Sequence, residues 1–191
     1  MSSGSHHITN NLSGEILRHT EVPVVKCYQC GKCTAGCPVA EDMDYPPSLL
    51  LRMLQTGEAD LEDKVLRSLS IWLCLSCEMC VSRCPMEIDI PKMMDFLRYT
   101  SLKEGKTNPK AKNIIRFHRA FLDSINYTGR LYEVGLIADY KMRSLNMTQD
   151  VAIAPKMFMR GKLGLIPEII KERGKMGEIF NKTLKRKGKQ L

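Results

Sequence analysis

Eight cysteines in two copies of one spacing constrain this chain more than any other feature of its sequence. The first run is Cys27-x-x-Cys30-x-x-Cys33-x-x-x-Cys37-Pro38. The second run is Cys74-x-x-Cys77-x-x-Cys80-x-x-x-Cys84-Pro85. It begins 47 residues later, and together the runs use every cysteine of the 191-residue chain. Three cysteines separated by two residues can wrap one side of a ligand as a tight loop. The proline after the fourth cysteine favours an extended exit from that loop.

This spacing resembles that of bacterial-type ferredoxins, in which the fourth cysteine of each run binds the cluster of the other run. The resemblance implies two 4Fe-4S clusters, each a cubane with four corners that need thiolates. It assigns Cys27, Cys30, Cys33 and Cys84 to cluster 1, and Cys74, Cys77, Cys80 and Cys37 to cluster 2. Gly31 and Gly36 would let the first loop approach the inorganic sulfurs. The second run lacks both glycines, which predicts a stiffer loop there.

Two alternatives would use these cysteines without iron. Structural zinc prefers two C-x-x-C pairs that close one tetrahedral site, and this leaves the third cysteine and the C-x-x-x-C-P ending of each run unexplained. A disulfide framework is typical of small secreted chains with a signal peptide, and the sequence opens with no apolar leader segment. Iron–sulfur clusters are the favoured interpretation.

The segments around the runs predict helices and no β-hairpins. Pro46 and Pro47 open a helix that ends near Gly57, and a second helix capped by Asp60 extends to Trp72. Another apolar helix follows Pro91, so the two halves of the region resemble each other. We therefore expect a mainly α fold: an α-helical ferredoxin domain that binds two iron–sulfur cubanes, with a C-terminal helical extension.

Three regions are predicted along the chain. Residues 1–15 are expected to form a flexible N-terminus, with a single turn or strand between residues 16 and 25. Residues 16–105 form the ferredoxin domain, and residues 106–191 form the helical extension and basic tail that dock a partner. A helix beginning at Asn108-Pro109 has an apolar stripe at helical spacing, comprising Ile114, Phe117, Phe121, Leu122 and Ile125. His118 borders this stripe. A structural or interfacial role is predicted for it, and the alternative is a polar contact to a partner's cofactor or substrate.

Composition narrows the classes of partner. The formal charge of +8 falls to about +4 if each cubane with its four thiolates carries about −2. The basic tail has no interleaved aromatic residues, so we expect no nucleic-acid partner. No apolar run reaches the roughly 18–20 residues of a membrane span. We expect a soluble, cytoplasmic protein in a reducing compartment, with an aliphatic, Met-rich core that uses part of the 12 methionines.

With both cysteine runs, the helical insert and the Gly129-Arg130…Glu133 segment in view, the chain resembles the iron–sulfur C subunit of heterodisulfide reductase from methanogenic archaea. The resemblance implies a non-catalytic electron-transfer subunit of an oxidoreductase complex, with no catalytic residue of its own. Its implied partners are a second subunit that contains flavin and iron–sulfur clusters, and a third that is catalytic. Hydrogenase or formate dehydrogenase are further candidates. The complex would reduce the coenzyme M–coenzyme B heterodisulfide of methanogenesis.

Two other functions use the same cysteine runs. One is a freestanding ferredoxin-type electron carrier, although such carriers are usually small and acidic. The other is the iron–sulfur subunit of a quinone-linked dehydrogenase, whose membrane partner would be a separate chain. The basic charge and the long extension of this chain favour the subunit of a complex.

Overall fold

A computed structural model describes residues 11–145, 154–161, 170 and 172–186, and this part of the chain is helical with no β-strand. The predicted mainly α class is thereby confirmed. The chain divides into two compact units, residues 1–111 and 112–191. The first unit contains both cysteine runs.

Seven helices lie in the described part of the first unit. They are α1 (Leu12–Thr20), α2 (Lys32–Ala35), α3 (Pro47–Thr56), α4 (Ala59–Leu66), α5 (Ser70–Leu73), α6 (Met79–Ser82) and α7 (Ile90–Lys103). Short 3-10 turns occupy Val24–Lys26, Ala40–Asp42 and Pro109–Ala111. Helix α3 packs against α2 and α4, whereas α7 packs against α1, α4 and α5. Each cysteine run is therefore followed by a longer helix that belongs to the core.

The core of this unit is aliphatic and rich in methionine, as predicted. Helix α3 buries Leu50, Leu51, Met53 and Leu54, and α7 buries Ile90, Met93, Met94 and Leu97. These residues fall on one face of each helix because they recur three and four positions apart. The flexible thioethers fill the irregular space between short helices of unequal length.

Helix α1 corrects the prediction of a flexible terminus up to residue 15 followed by a turn or strand. The Asn11 side chain caps it and accepts a hydrogen bond from Gly14 N at 2.9 Å. Glu62 in α4 accepts another from Leu12 N at 2.8 Å, and Ile16 is fully buried. A nine-residue helix is marginal by itself in water. Its stability comes from packing against α7, which the local sequence does not reveal.

The first helix of the insert is confirmed. Pro46 precedes helix α3, Pro47 is its first residue, and Gly57 ends it in the left-handed conformation with φ of 67°. Proline at the first helical position costs no hydrogen bond, and glycine adopts positive φ without steric penalty.

The predicted second helix of the insert is wrong at both ends. Helix α4 begins at Ala59, so Asp60 lies inside its first turn and pairs with Lys64 Nζ at 2.6 Å. It ends at Leu66, and Trp72 belongs to the separate helix α5.

Asp44 explains the break between α4 and α5. Its carboxylate accepts hydrogen bonds from Leu69 N at 2.8 Å and from Ser70 N at 2.9 Å, and also from the Ser70 hydroxyl. These bonds satisfy the first N–H groups of a new helix. Periodicity within the insert cannot reveal a partner that lies 25 residues earlier.

The second unit is built around one long helix. Its described elements are α8 (Lys112–Thr128), α9 (Glu133–Ser144), α10 (Ala154–Met159) and α11 (Arg173–Arg186). Helix α8 packs against α9 and α11, and the Phe117 ring meets Phe121 and Tyr140 with centroids 6.4 and 5.8 Å away. The predicted start at Asn108-Pro109 is a 3-10 turn, and the α-helix begins at Lys112. Residues 146–153, 162–169 and 171, and residues 187–191 at the end of the basic tail, lie outside the described residues.

Candidate functional site

The two cysteine runs adopt the same backbone conformation. The residue before the second cysteine of each run, Gln29 or Ser76, has positive φ, and so does the residue after it, Gly31 or Glu78. Helices α2 and α6 each cover four residues and hold the third cysteine of their run at the same position. Every equivalent pair is 47 residues apart. The repeat visible in the cysteine spacing is therefore a repeat of loop geometry.

The first loop has glycine at position 31 because of the backbone angle there, and not for lack of space. A Cβ on Gly31 would meet no heavy atom within 4 Å, but its φ is +75°. The second loop places Glu78 in the same left-handed region, with φ of 60°. This conformation costs a residue with a Cβ about 1 kcal/mol. The stiffness predicted for the second loop thus has a counterpart in strained residues, and it stays a prediction.

One set of four cysteines lines a common cavity. Cys37 of the first run lies there with Cys74, Cys77 and Cys80 of the second. The cavity is otherwise apolar; its walls include Pro38, Val39, Met43, Leu75, Ile90 and Met94. The fourth cysteine of the first run thus shares a cavity with three cysteines of the second run.

Three cysteines of the other set lie near Tyr28. The pKa of Tyr28 is raised by desolvation and then by the thiolates of Cys30, Cys84 and Cys27, with Cys30 also bonding its hydroxyl. Cys84, from the second run, thus lies near Tyr28 in the loop of the first run. Ile88 N donates to Cys84 Sγ at 3.5 Å, and Gln29 Nε2 donates to Cys27 Sγ at 3.4 Å. Cys27, Cys30 and Cys84 are three of the four predicted ligands of cluster 1, and Cys33 is the fourth.

The third cysteines of the two runs face each other, because helices α2 and α6 are in contact. Burial, and then the nearby Cys27 thiolate, raises the pKa of Cys33. Burial, and then the thiolates of Cys74 and Cys33, raises the pKa of Cys80 to about 11. A raised pKa keeps a thiol protonated, so such a thiol releases its proton when it binds metal.

The second cysteines are the open side of each site. Cys30 and Cys77 are exposed, whereas Cys33 is buried and the remaining five are half-buried; all eight are free thiols. Among the described residues, no three His, Cys, Asp or Glu side chains are grouped closely enough to hold a single metal ion. The donor set fits 4Fe-4S clusters, since four thiols line one common cavity and three thiols of the other set lie near Tyr28.

Sequence reasoning missed two side chains that hold the loops. Gln55 in α3 and Arg98 in α7 donate hydrogen bonds to backbone carbonyls at the start of the first and second loops, respectively. Each is the ninth residue of its helix, and this shared position is the signal that could have revealed them. Trp72 is buried, and its Nε1 has no hydrogen-bond partner among the described residues. It is not among the residues that line the cavity.

Fold and site together define the class of the first unit. Residues 23–88 match the family model of the 4Fe-4S dicluster domain. This region is a helical ferredoxin-type domain for two 4Fe-4S clusters, and the predicted pair of cofactors is confirmed at this level.

Relatives from methanogens extend the match. The chain is 38% identical over 82 residues to the iron-sulfur C subunit of CoB–CoM heterodisulfide reductase from Methanopyrus kandleri, covering 43% of this chain and 41% of that protein. It is 34% identical over 98 residues to the second such C subunit of Methanocaldococcus jannaschii, covering 49% and 50%. It is 30% identical over 91 residues to the C subunit of the H(2):CoB-CoM heterodisulfide,ferredoxin reductase from Methanothermobacter thermautotrophicus, covering 48% of each chain.

The predicted resemblance to the iron–sulfur C subunit of heterodisulfide reductase is confirmed by these relatives. The matches span at most half the length of each of the three proteins. Within the described residues, no helix is both long enough and apolar enough to cross a membrane.

Proposed function

We propose that the chain is the electron-transfer subunit of a cytoplasmic heterodisulfide reductase complex. It passes electrons from a flavin subunit to a catalytic subunit that reduces the coenzyme M–coenzyme B disulfide. The observation that carries this proposal is the pair of matching cysteine loops, which contact each other through α2 and α6, in a domain related to the iron–sulfur subunit of such reductases. Two adjacent one-electron centres are what an electron relay requires, and this is the chemistry the bound clusters supply.

The ligand sets of the relay are crossed. Cluster 1 is held by Cys27, Cys30, Cys33 and Cys84, and cluster 2 by Cys74, Cys77, Cys80 and Cys37. The cavity shared by Cys37 and the second run supports this assignment. So does the position of Cys84 beside Tyr28 and the first run. Each half of the domain thereby depends on the other for a complete site.

The second unit docks the partner subunits. Only two of its described apolar side chains, Ala120 and Leu136, are buried. Phe117 is 43% exposed, Leu122 39% and Tyr127 72%. Accessible aromatic and aliphatic side chains on one helix are typical of a surface that a partner covers.

The chain performs no catalysis by itself in this proposal. The thiols of both sites are assigned to clusters, and the two sites use all eight cysteines. A freestanding ferredoxin-type carrier remains the second candidate, since the first unit alone contains both cysteine runs. The accessible surface of α8 favours the complex over that alternative.

Reconstitution with the partner subunits tests the proposal. The full chain, loaded with iron and sulfide, is mixed with the flavin and catalytic subunits of a methanogen heterodisulfide reductase from which the native iron–sulfur electron-transfer subunit has been removed. We expect a stable complex on gel filtration and restored reduction of the heterodisulfide by electrons supplied through the flavin. Fast exchange of electrons with small carriers, without any complex or restored activity, would instead identify a freestanding carrier.

A further inference from the structure

Two side chains clamp the start of the two cluster loops in the same way. Gln55 Nε2 donates to Cys27 O at 2.6 Å and to Val24 O at 3.2 Å. Arg98 Nη2 donates to Cys74 O at 2.5 Å, and its Nε donates to Ile71 O at 2.5 Å. In each half the clamp reaches the first cysteine of the run and the residue three before it.

Val24 O also accepts from Cys27 N at 3.1 Å, whereas the carbonyls of Cys27, Ile71 and Cys74 have no other partner among the described hydrogen bonds. Each clamp ties the first cysteine to the core helix behind its loop, α3 in one half and α7 in the other. A buried or half-buried carbonyl without a hydrogen bond is costly. Gln55 and Arg98 are therefore positioning residues, because they fix the backbone from which the first thiol of each site projects.

The two clamps differ in charge. The amide of Gln55 is neutral, whereas the guanidinium of Arg98 carries a positive charge. The Arg98 side chain is only 17% exposed, so water screens its charge poorly. Its ionic partner Asp95 binds Nη1 at 2.9 Å but is 67% exposed, so solvent weakens the opposing charge.

We propose that Arg98 raises the reduction potential of cluster 2 relative to cluster 1, and that the exchange of glutamine for arginine in an otherwise repeated clamp sets the direction of electron flow. A cluster gains negative charge on reduction, and a nearby buried cation stabilises the reduced form. Cluster 2 is then the one reduced first, and cluster 1 faces the electron donor. This inference rests on the proposed two-cluster function and ligand sets.

Opposing contributions exist on the cluster 1 side. Gln29 Nε2 and Ile88 N donate to the thiols of Cys27 and Cys84, and hydrogen bonds to sulfur also raise potentials. Those bonds, at 3.4 and 3.5 Å, have ordinary lengths for N–H···S contacts, but their donors are neutral. Lys32 adds a charge, but it is exposed and screened. A guanidinium bound at 2.5 Å to a ligand's own carbonyl is the larger influence.

The test exchanges the clamps in the full, cluster-loaded chain. Arg98→Gln should lower the potential of cluster 2, with the ratio of reduced to oxidised cluster falling about tenfold at a fixed applied potential, which is about 59 mV for one electron. Gln55→Arg should raise the potential of cluster 1. The double exchange should reverse their order, and Arg98→Lys should keep most of the native value because it retains the charge. The readout is a redox titration followed by electron paramagnetic resonance, with Cys77→Ala used to assign the cluster 2 signal.

Iron and sulfide analysis separates the possible failures. Loss of clusters from the wild-type chain would overturn the proposed function itself. Intact clusters whose potentials do not move in Arg98→Gln and Gln55→Arg would overturn the inference alone. If either exchange prevents assembly, Asp95→Asn provides an independent measurement, since it leaves both clamps in place. It should raise the potential of cluster 2, and an unchanged or lower value would contradict the role of the Arg98 charge.

Discussion

Arg83 lies directly against Gly36, and the two residues occupy the same place in the two cysteine runs, each immediately before the fourth cysteine. A Cβ built on Gly36 would come within 2.5 Å of Arg83 Nη1. Equivalent positions of a repeat touch only near the axis that relates its halves. The two runs are thus joined at the point where each chain leaves its own loop for the other site.

This contact predicts a coupled pair of substitutions. Gly36→Ala should lower the free energy of unfolding by about 0.5–1 kcal/mol, because Arg83 must move from the added methyl group. Arg83 is exposed, so Arg83→Ala should change stability little. The double variant should recover most of the loss, as measured by thermal unfolding of the loaded chain. If the changes in unfolding free energy of the two single variants simply added in the double variant, the contact would not contribute to stability.

The crossed ligand sets predict crossed lesions. Wild-type chain should bind about eight irons and eight sulfides, as two 4Fe-4S clusters require. Exchange of Cys37 for alanine should damage the site formed with the second run, and exchange of Cys84 the site formed with the first. Electron paramagnetic resonance spectra and the iron content of each variant report which cluster is lost. Cys30→Ala and Cys77→Ala are the matched references. Lesions confined to the run that carries the substitution would contradict the crossing.

Gly31 and Glu78 both have positive φ, and this predicts that Glu78→Gly and Gly31→Glu change stability in opposite directions. Glu78→Gly should stabilise the loaded chain by about 0.5 kcal/mol, because glycine relieves the strain of positive φ. Gly31→Glu should destabilise it by about 1 kcal/mol, and since the site is open the cause would be the backbone angle alone. Denaturant unfolding under anaerobic conditions measures both. If both exchanges changed the free energy of unfolding in the same direction, the two loop conformations would not be equivalent.

Asp44 predicts a stability that depends on pH. Partial burial opposes ionisation, but the hydrogen bonds from Ser70, Leu69 and Tyr45 outweigh it and hold the pKa of this carboxyl below its ordinary value. Stability from such a group is present above the unfolded pKa of about 3.9 and is lost as pH falls through the folded value.

Asp44→Asn should therefore cost about 1 kcal/mol at pH 7, a figure reduced for the exposure of the side chain. The difference from wild type should shrink only below about pH 4. Asp42→Asn, at an exposed position in the same connection, is the control and should have little effect at any pH. Melting temperatures across the pH range give the comparison, and a constant difference down to about pH 3 would rule out the proposed capping role.

Truncation separates cluster assembly from docking. The ferredoxin domain is best ended after Ala111, since Ala111 is buried and Asn108 Nδ2 donates to Arg67 O at 2.8 Å. Lys106 also pairs with Asp63 at 3.0 Å, which makes an end at residue 105 less suitable. Residues 1–111 should retain both clusters but lose binding to the partner subunits. A truncated chain that still forms the complex would assign docking to the cluster domain.

The cysteine spacing predicted two equivalent loops because thiolate ligation constrains the backbone over only a few residues. Proline and glycine likewise marked the ends of α3, since their effects on φ are local. The contributions that sequence reasoning missed depend on residues far apart in the chain. Asp44 starts α5 across 25 residues, and α1 is stabilised by packing against α7. Gln55 and Arg98 escaped notice for the same reason, since their targets are backbone carbonyls, which have no sequence signature.

The exposure of Cys30 and Cys77 gives the molecule two windows at equivalent places. Electrons cross protein more readily over short gaps, so a partner that covers either window comes nearest to the metal behind it. Oxygen and peroxide reach the same two sulfurs first, and exposed thiolates are the ones that enter the oxidation ladder. The points of exchange are also the points of damage. A partner bound over each window would then protect the cluster from oxidation as well as exchange electrons with it. The unassembled chain would be the form most easily damaged by oxygen.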